Sequence, residues 1–170
     1  MKNWHEAKTD VRRIKPDRAV AVSLLKMIEV RLKDLKLKDR SEFASLIVEA
    51  HYEIIKDAIT ALMALDGYKT LSHEALISYM DEFFPEFSES EVLLADLLRK
   101  LRNRIAYEGF FIEPAFVERN AEKLDGLVSK LVKLLKARLE RAEGKDKSRT
   151  VVGPGTTSAS RKAIESPGSK

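Results

Sequence analysis

The stretch SESEVLLADLLRKLRNRIAYEG, from Ser88 to Gly109, contains a helix start, a helix interior and a helix stop. Ser88 with Glu91 three residues later is a capping box, in which each side chain satisfies a backbone amide that the first helical turn leaves free. Leu94, Leu97, Leu98, Leu101 and Ile105 then recur at three- and four-residue steps, which is one apolar stripe of an α-helix. Gly109 breaks the run.

The same grammar extends in both directions. Upstream, Val20, Leu24, Met27, Ile28, Leu32 and Leu35 form the face of a first helix beginning after Asp17. Ser41 is the expected N-cap of a second helix. Its apolar face runs through Ala44, Ile47, Val48, His51, Ile54, Ile55, Ala58 and Leu62 and stops at Gly67, because glycine takes the left-handed C-cap conformation at little cost. Ser72 restarts the chain, and Leu76, Ile77, Met80, Phe83 and Phe84 make a shorter third helix ended by Pro85. Downstream, Pro114 suits the first position of a last helix, whose stripe is Val117, Ala121, Leu124, Val128, Leu131 and Leu135 and which frays near Ala142. The expectation is an all-α fold: an up-and-down antiparallel bundle of about five helices over residues 17–142. A polar segment, 1–16, precedes it, and a small-residue, aperiodic tail, 143–170, is expected to be disordered.

Composition narrows the class. Seven glycines and five prolines in 170 residues are too few for a many-stranded fold. The absence of cysteine removes disulfides and cysteine-ligated metals and suits a reducing compartment. No apolar run reaches the ~18 residues of a membrane-spanning helix, and the N-terminus has no signal-peptide core, so the expected location is cytoplasmic. The net charge is +4. Six basic and three acidic residues after Ala142 account for most of it, leaving a nearly neutral body. The bundle is therefore no broad electrostatic glove for nucleic acid, and any phosphate contact must be a local patch.

His5, His51 and His73 are far apart and form no metal-ligand pair, and no phosphate-binding or dinucleotide loop occurs, so neither a metal nor a cofactor is expected. His51 reads as a core-edge histidine bonded to a neighbour, and His73 as an exposed or capping residue beside the N-cap Ser72. The densest chemical signal lies in the opening stretch: Arg99, Lys100, Arg102 and Arg104 fall within six positions. Near a helix C-terminus such cations complement the macrodipole. Arg102, however, flanks the buried stripe of Leu98, Leu101 and Ile105, so it needs a partner: a carboxylate of the bundle, another protomer or a phosphate. Asn103 beside it could orient such a group.

Arg102-Asn103-x-x-x-Tyr107 resembles the Arg-Asn-x-x-x-His motif of the HEPN superfamily of small helical bundles. The helix over Ala50–Gly67, followed by Leu71-Ser72-His73-Glu74-Ala75-Leu76, resembles the second and third helices of such domains, and the likeness covers roughly Asp17–Leu139. Active members of that family are metal-independent ribonucleases in which arginine and histidine of two protomers meet across a dimer cleft. The resemblance assigns the arginine role to Arg102 and the polar-partner role to Asn103, and it puts Tyr107 where the histidine would be. A phenol with a pKa of about 10 is a poor proton shuttle at neutral pH beside an imidazole of about 6.5. The resemblance thus implies a non-catalytic or degenerate homodimeric module that uses Arg99, Arg102, Asn103, Arg104 and Tyr107 to hold a nucleotide, RNA or a minimal nucleotidyltransferase partner, as in toxin–antitoxin systems. The tyrosine that such a transferase modifies corresponds to Gly109 here, so that modification does not carry over. Two alternatives stand beside this reading. One is a metal-independent ribonuclease that recruits another base. The other is a plain interaction bundle in which Arg102 pairs internally with Asp96, Glu108 or an acid of a neighbouring helix.

Overall fold

A computed structural model describes residues 2–150. In chain order the elements are α1 (Trp4–Ala7), a 3-10 turn (Lys8–Asp10), β1 (Val11–Arg13), α2 (Arg18–Leu37), α3 (Ala44–Leu65), β2 (Tyr68–Thr70), α4 (His73–Phe83), α5 (Glu89–Glu108) and α6 (Pro114–Thr150). The fold is all-α, with five long helices in the expected places and one short helix ahead of them. No helix among the described residues is long and apolar enough to cross a membrane.

Local chemistry sets most of the boundaries. The Asp17 side chain accepts from the Val20 amide and starts α2, and Ser72 does the same for Ala75 at α4. The Ser88–Glu91 capping box forms at the start of α5, and Gly109 closes that helix at φ 63°. Ser41 is not the cap of α3. Asp39 accepts from the amides of Ser41 and Glu42 and folds them into a turn, so the helix begins two residues later behind Phe43, without a side-chain cap. The competing Asx turn uses the same acceptor chemistry as a cap, two residues too early for one. The last helix runs to Thr150 instead of ending near Ala142. The rest of the expected tail, 151–170, lies outside the described residues.

Helix α3 is the axis of the bundle. Fourteen of its 22 residues are buried, and it packs on α2, α5 and α6. An axial helix must be apolar nearly all round, which is why its few charged residues carry information. Helices α2 and α6 run antiparallel, as the cross-links Arg18–Glu143, Glu29–Lys136 and Arg40–Asp125 require.

The N-terminal segment, which has no helical period, is built into the fold. β1 pairs antiparallel with β2, Val11 opposite Thr70 and Arg13 opposite Tyr68. Trp4 packs edge-on against Tyr68, Tyr79 and Phe83. Gly67 makes this docking feasible: its φ is 77°, and a Cβ there would lie 2.8 Å from the Ile14 carbonyl oxygen.

Candidate functional site

The middle of α3 carries Tyr52, Glu53, Lys56 and Asp57 at one- to four-residue spacings, so one flank of an otherwise apolar helix presents a phenol, two carboxylates and an ammonium group. The neighbouring helices answer with arginine. Arg31 of α2 donates to Asp57 at 3.1 Å and lies 3.8 Å from Glu53. Arg102 of α5 lies 3.4 Å from Glu53. Lys56 completes the set by pairing with both Glu53 and Asp57. Nearly two turns earlier on α5, the buried Asp96 is held by Arg99 at 2.9 Å and Lys100 at 2.8 Å.

Arg102 therefore has the internal carboxylate partner that one of the sequence readings requires, on a neighbouring helix. That partner is shared three ways. Among the described residues, Arg31, Lys56, Arg99, Lys100 and Arg102 divide three carboxylates, Glu53, Asp57 and Asp96. Burial alone would raise the pKa of Glu53, yet Lys56, Arg102 and Arg31 together hold it below the usual 4.5. Asp96 behaves likewise: desolvation works against its charge, and Lys100 and Arg99 overcome it.

Two further groups face this array. His73, in the first turn of α4, stacks loosely on Tyr52 with ring centroids 5.8 Å apart. Its pKa is lowered, first by burial and then by the positive charges of Arg102, Lys56 and Arg99, with only Glu53 opposing them. Cation excess prevails at the ring. The second group is Tyr52 itself. It is fully buried, and its hydroxyl has no hydrogen-bond partner among the described residues. Arg99, Glu53, Arg102 and Asp96 all act on it electrostatically. A buried hydroxyl left unpaired costs roughly 1–3 kcal/mol, and that of Tyr52 is enclosed beside the Arg99 and Arg102 charges.

The sequence-derived set divides between two faces of α5. Arg99 and Arg102 are half-buried on the α3 side. Arg104 and Tyr107 point outward: Arg104 pairs with Glu108 and covers the Phe110 ring at 3.7 Å, and Tyr107 is 79% exposed. Asn103 lies between them, half-buried, with no side-chain hydrogen bond among the described residues. Within one protomer, then, Tyr107 is on a different face from Arg102. The residues the sequence reading missed are Tyr52, Glu53, Lys56 and His73. Glu53 and Lys56 carry a signal, as charges interrupting the apolar surround of α3, whereas Tyr52 reads as core and His73 as part of a helix start. His73, expected as an exposed or capping residue, is instead half-buried against Tyr52, and Ser72 alone makes the cap.

His51 matches its structural reading. It is buried, with Nδ1 2.8 Å from the Ile47 carbonyl oxygen and Nε2 3.2 Å from Asp125. No family model, curated protein or solved structure matches the chain.

Proposed function

We propose that this chain is a HEPN-like helical module that holds a phosphate-bearing ligand, an RNA strand or a nucleotide, at the α3–α4–α5 junction without cleaving it. The observation that carries the reading is the excess of cations over carboxylates in the array of Arg31, Lys56, Arg99, Lys100 and Arg102 with Glu53, Asp57 and Asp96, which borders the unpartnered hydroxyl of Tyr52. A phosphate seated on Arg102 and Arg99 would have charge-assisted donors, and it would reach the enclosed Tyr52 hydroxyl once the side chains covering that atom move aside. It would also meet the amide end of α4, whose dipole favours an anion. Asn103, free of internal bonds, is available to the same ligand.

Pairing of two copies through α5 is part of the proposal. Leu93 and Leu97, one turn apart, are 55% and 41% exposed and border a groove of about 460 Å³ lined by Leu94, Leu127, Asn120 and Gly126. Arg104 continues that face, so pairing would bring it and the neighbouring Tyr107 toward the second copy. Leu97→Glu should give a folded monomer in light scattering. An unchanged mass would remove this interface. A minimal nucleotidyltransferase is the protein partner the same surface would serve.

A second reading, a metal-independent ribonuclease, is favoured by one specific feature: His73 is within electrostatic reach of Arg102. Its lowered pKa keeps the ring neutral, as a general base requires. End-labelled RNA incubated with the protein in excess chelator separates the two. Intact RNA with retained binding supports the first reading. Cleavage lost in both Arg102→Ala and His73→Ala supports the second.

A further inference from the structure

A different part of the molecule holds a cavity that none of these readings uses. From the Glu29–Lys136 ion pair past Arg40–Asp125 to Val117, an open groove runs between α2 and α6 over α3. Its volume is about 450 Å³, within the range that small-ligand sites occupy. The floor is aliphatic, built from Leu32, Leu35, Ile47, Leu124, Val128 and Val132. From Val132 to Ala121 the groove follows α6 for roughly 16 Å at the rise of a helix, comparable with an extended medium-chain acyl group.

The rim is cationic in a particular way. Lys38, Arg40 and Lys136 are each engaged, with Asp34, Asp125 and Glu29. Lys36 on the α2 wall and Lys133 on the α6 wall are exposed and have no acidic partner among the described residues. The acid at the rim, Asp125, is occupied by Arg40 and His51. An aliphatic trough with one free ammonium group on each wall, about one helical turn apart by the register of those ion pairs, is complementary to a long apolar tail ending in a single anionic head. We propose that this groove binds a straight-chain fatty-acid carboxylate, its head between Lys36 and Lys133 and its tail running over Val128 and Leu124 toward Val117. Apolar burial along the tail supplies affinity, and the two lysines supply orientation and charge selectivity.

The test uses laurate below its micellar concentration, titrated calorimetrically into the full chain, with dodecylammonium as the control of equal tail and opposite head. Laurate should bind in preference to dodecylammonium. The double variant Lys36→Glu, Lys133→Glu should weaken laurate by about tenfold, the combined worth of two surface charge contacts. Ser129→Trp, at an exposed position on the groove wall, should abolish binding by filling the trough. Equal affinity for the two amphiphiles, no laurate binding, or laurate affinity unchanged in Ser129→Trp would each overturn the proposal. So would a change of oligomeric state on charge reversal without laurate binding, which would assign the groove to a second copy. If Ser129→Trp fails to fold, the comparison of the two head groups on the unaltered protein still decides.

Discussion

Removing one oxygen atom, by Tyr52→Phe, should move stability and binding in opposite directions. The ring of Tyr52 is fully buried and its hydroxyl is without a partner. A buried tyrosine that donates a hydrogen bond typically loses about 1 kcal/mol when cut back to phenylalanine, whereas an unsatisfied one relieves a desolvation penalty of roughly 1–3 kcal/mol. Phenylalanine fills the same space, so no cavity term enters. The ligand-free protein should therefore gain about 1 kcal/mol, read as a rise in Tm of roughly 2–4 °C for a domain of this size. If a phosphate oxygen is the missing acceptor, the same change should weaken RNA or nucleotide binding by about tenfold, the worth of one hydrogen bond to a charged group. Thermal melts with and without ligand measure both halves on one sample. A variant that melts lower than the parent and binds equally well would refute the reasoning, because the hydroxyl would then be satisfied inside the bundle and unconnected with any ligand.

The remaining expectations concern the same junction and the docking of the N-terminal segment. Arg102→Ala should raise the His73 pKa toward its usual 6.5, since Arg102 is the leading charge that depresses it after burial. The ring proton shifts in an NMR pH titration report this directly, and an unmoved midpoint would mean that the two residues are not neighbours. Glu53 and Asp96 have folded pKa values below their usual 4.5 and 3.8. Their stabilisation is complete above those values and is lost as pH falls through the lowered ones, so urea midpoints should drop steeply in strong acid and less so in Glu53→Gln. His73 adds an earlier, smaller loss of the same sign: with its folded pKa below 6.5, its contribution is whole above 6.5 and falls away as pH drops through the folded value. Gly67→Ala should cost about 2 kcal/mol or more in denaturant unfolding, because it combines a left-handed backbone with a Cβ 2.8 Å from the Ile14 carbonyl oxygen.

Much of the bundle was legible because its signals are local. Asp17, Ser72 and the Ser88–Glu91 box each announce a helix start within four residues, and Gly67 and Gly109 announce stops. Where two local signals compete, sequence alone does not choose between them. Ser41 and Asp39 are both capable acceptors, and only tertiary placement decides that Asp39 makes a turn and leaves α3 uncapped. The N-terminal segment was opaque for a different reason. Its order comes from pairing with β2 and from Trp4 against Tyr68, Tyr79 and Phe83, contacts distant in sequence that leave no periodic trace. The candidate site divided along the same line. Arg102 stood out because its wheel position flanks a buried stripe, and that position does place it against another helix. Which groups it meets there, Glu53 directly and His73 within its field, depends on how α3, α4 and α5 cross. The motif likeness groups Tyr107 with Arg102, and proximity in sequence adds Arg104, although both project from another face of the helix.

The central claim is that the junction around Arg102 holds a phosphate-bearing strand, and fluorescence anisotropy of a labelled RNA oligonucleotide in chelator tests it most directly. Arg102→Ala should weaken binding by roughly 10- to 100-fold, as loss of a charge-assisted contact requires, and about equally for every RNA sequence. Lys33→Ala, removing an exposed cation elsewhere on α2, should leave affinity nearly unchanged. Equal weakening by both variants would reduce the effect to net charge. Undiminished binding by Arg102→Ala would contradict the account and leave the arginine as an internal partner of Glu53.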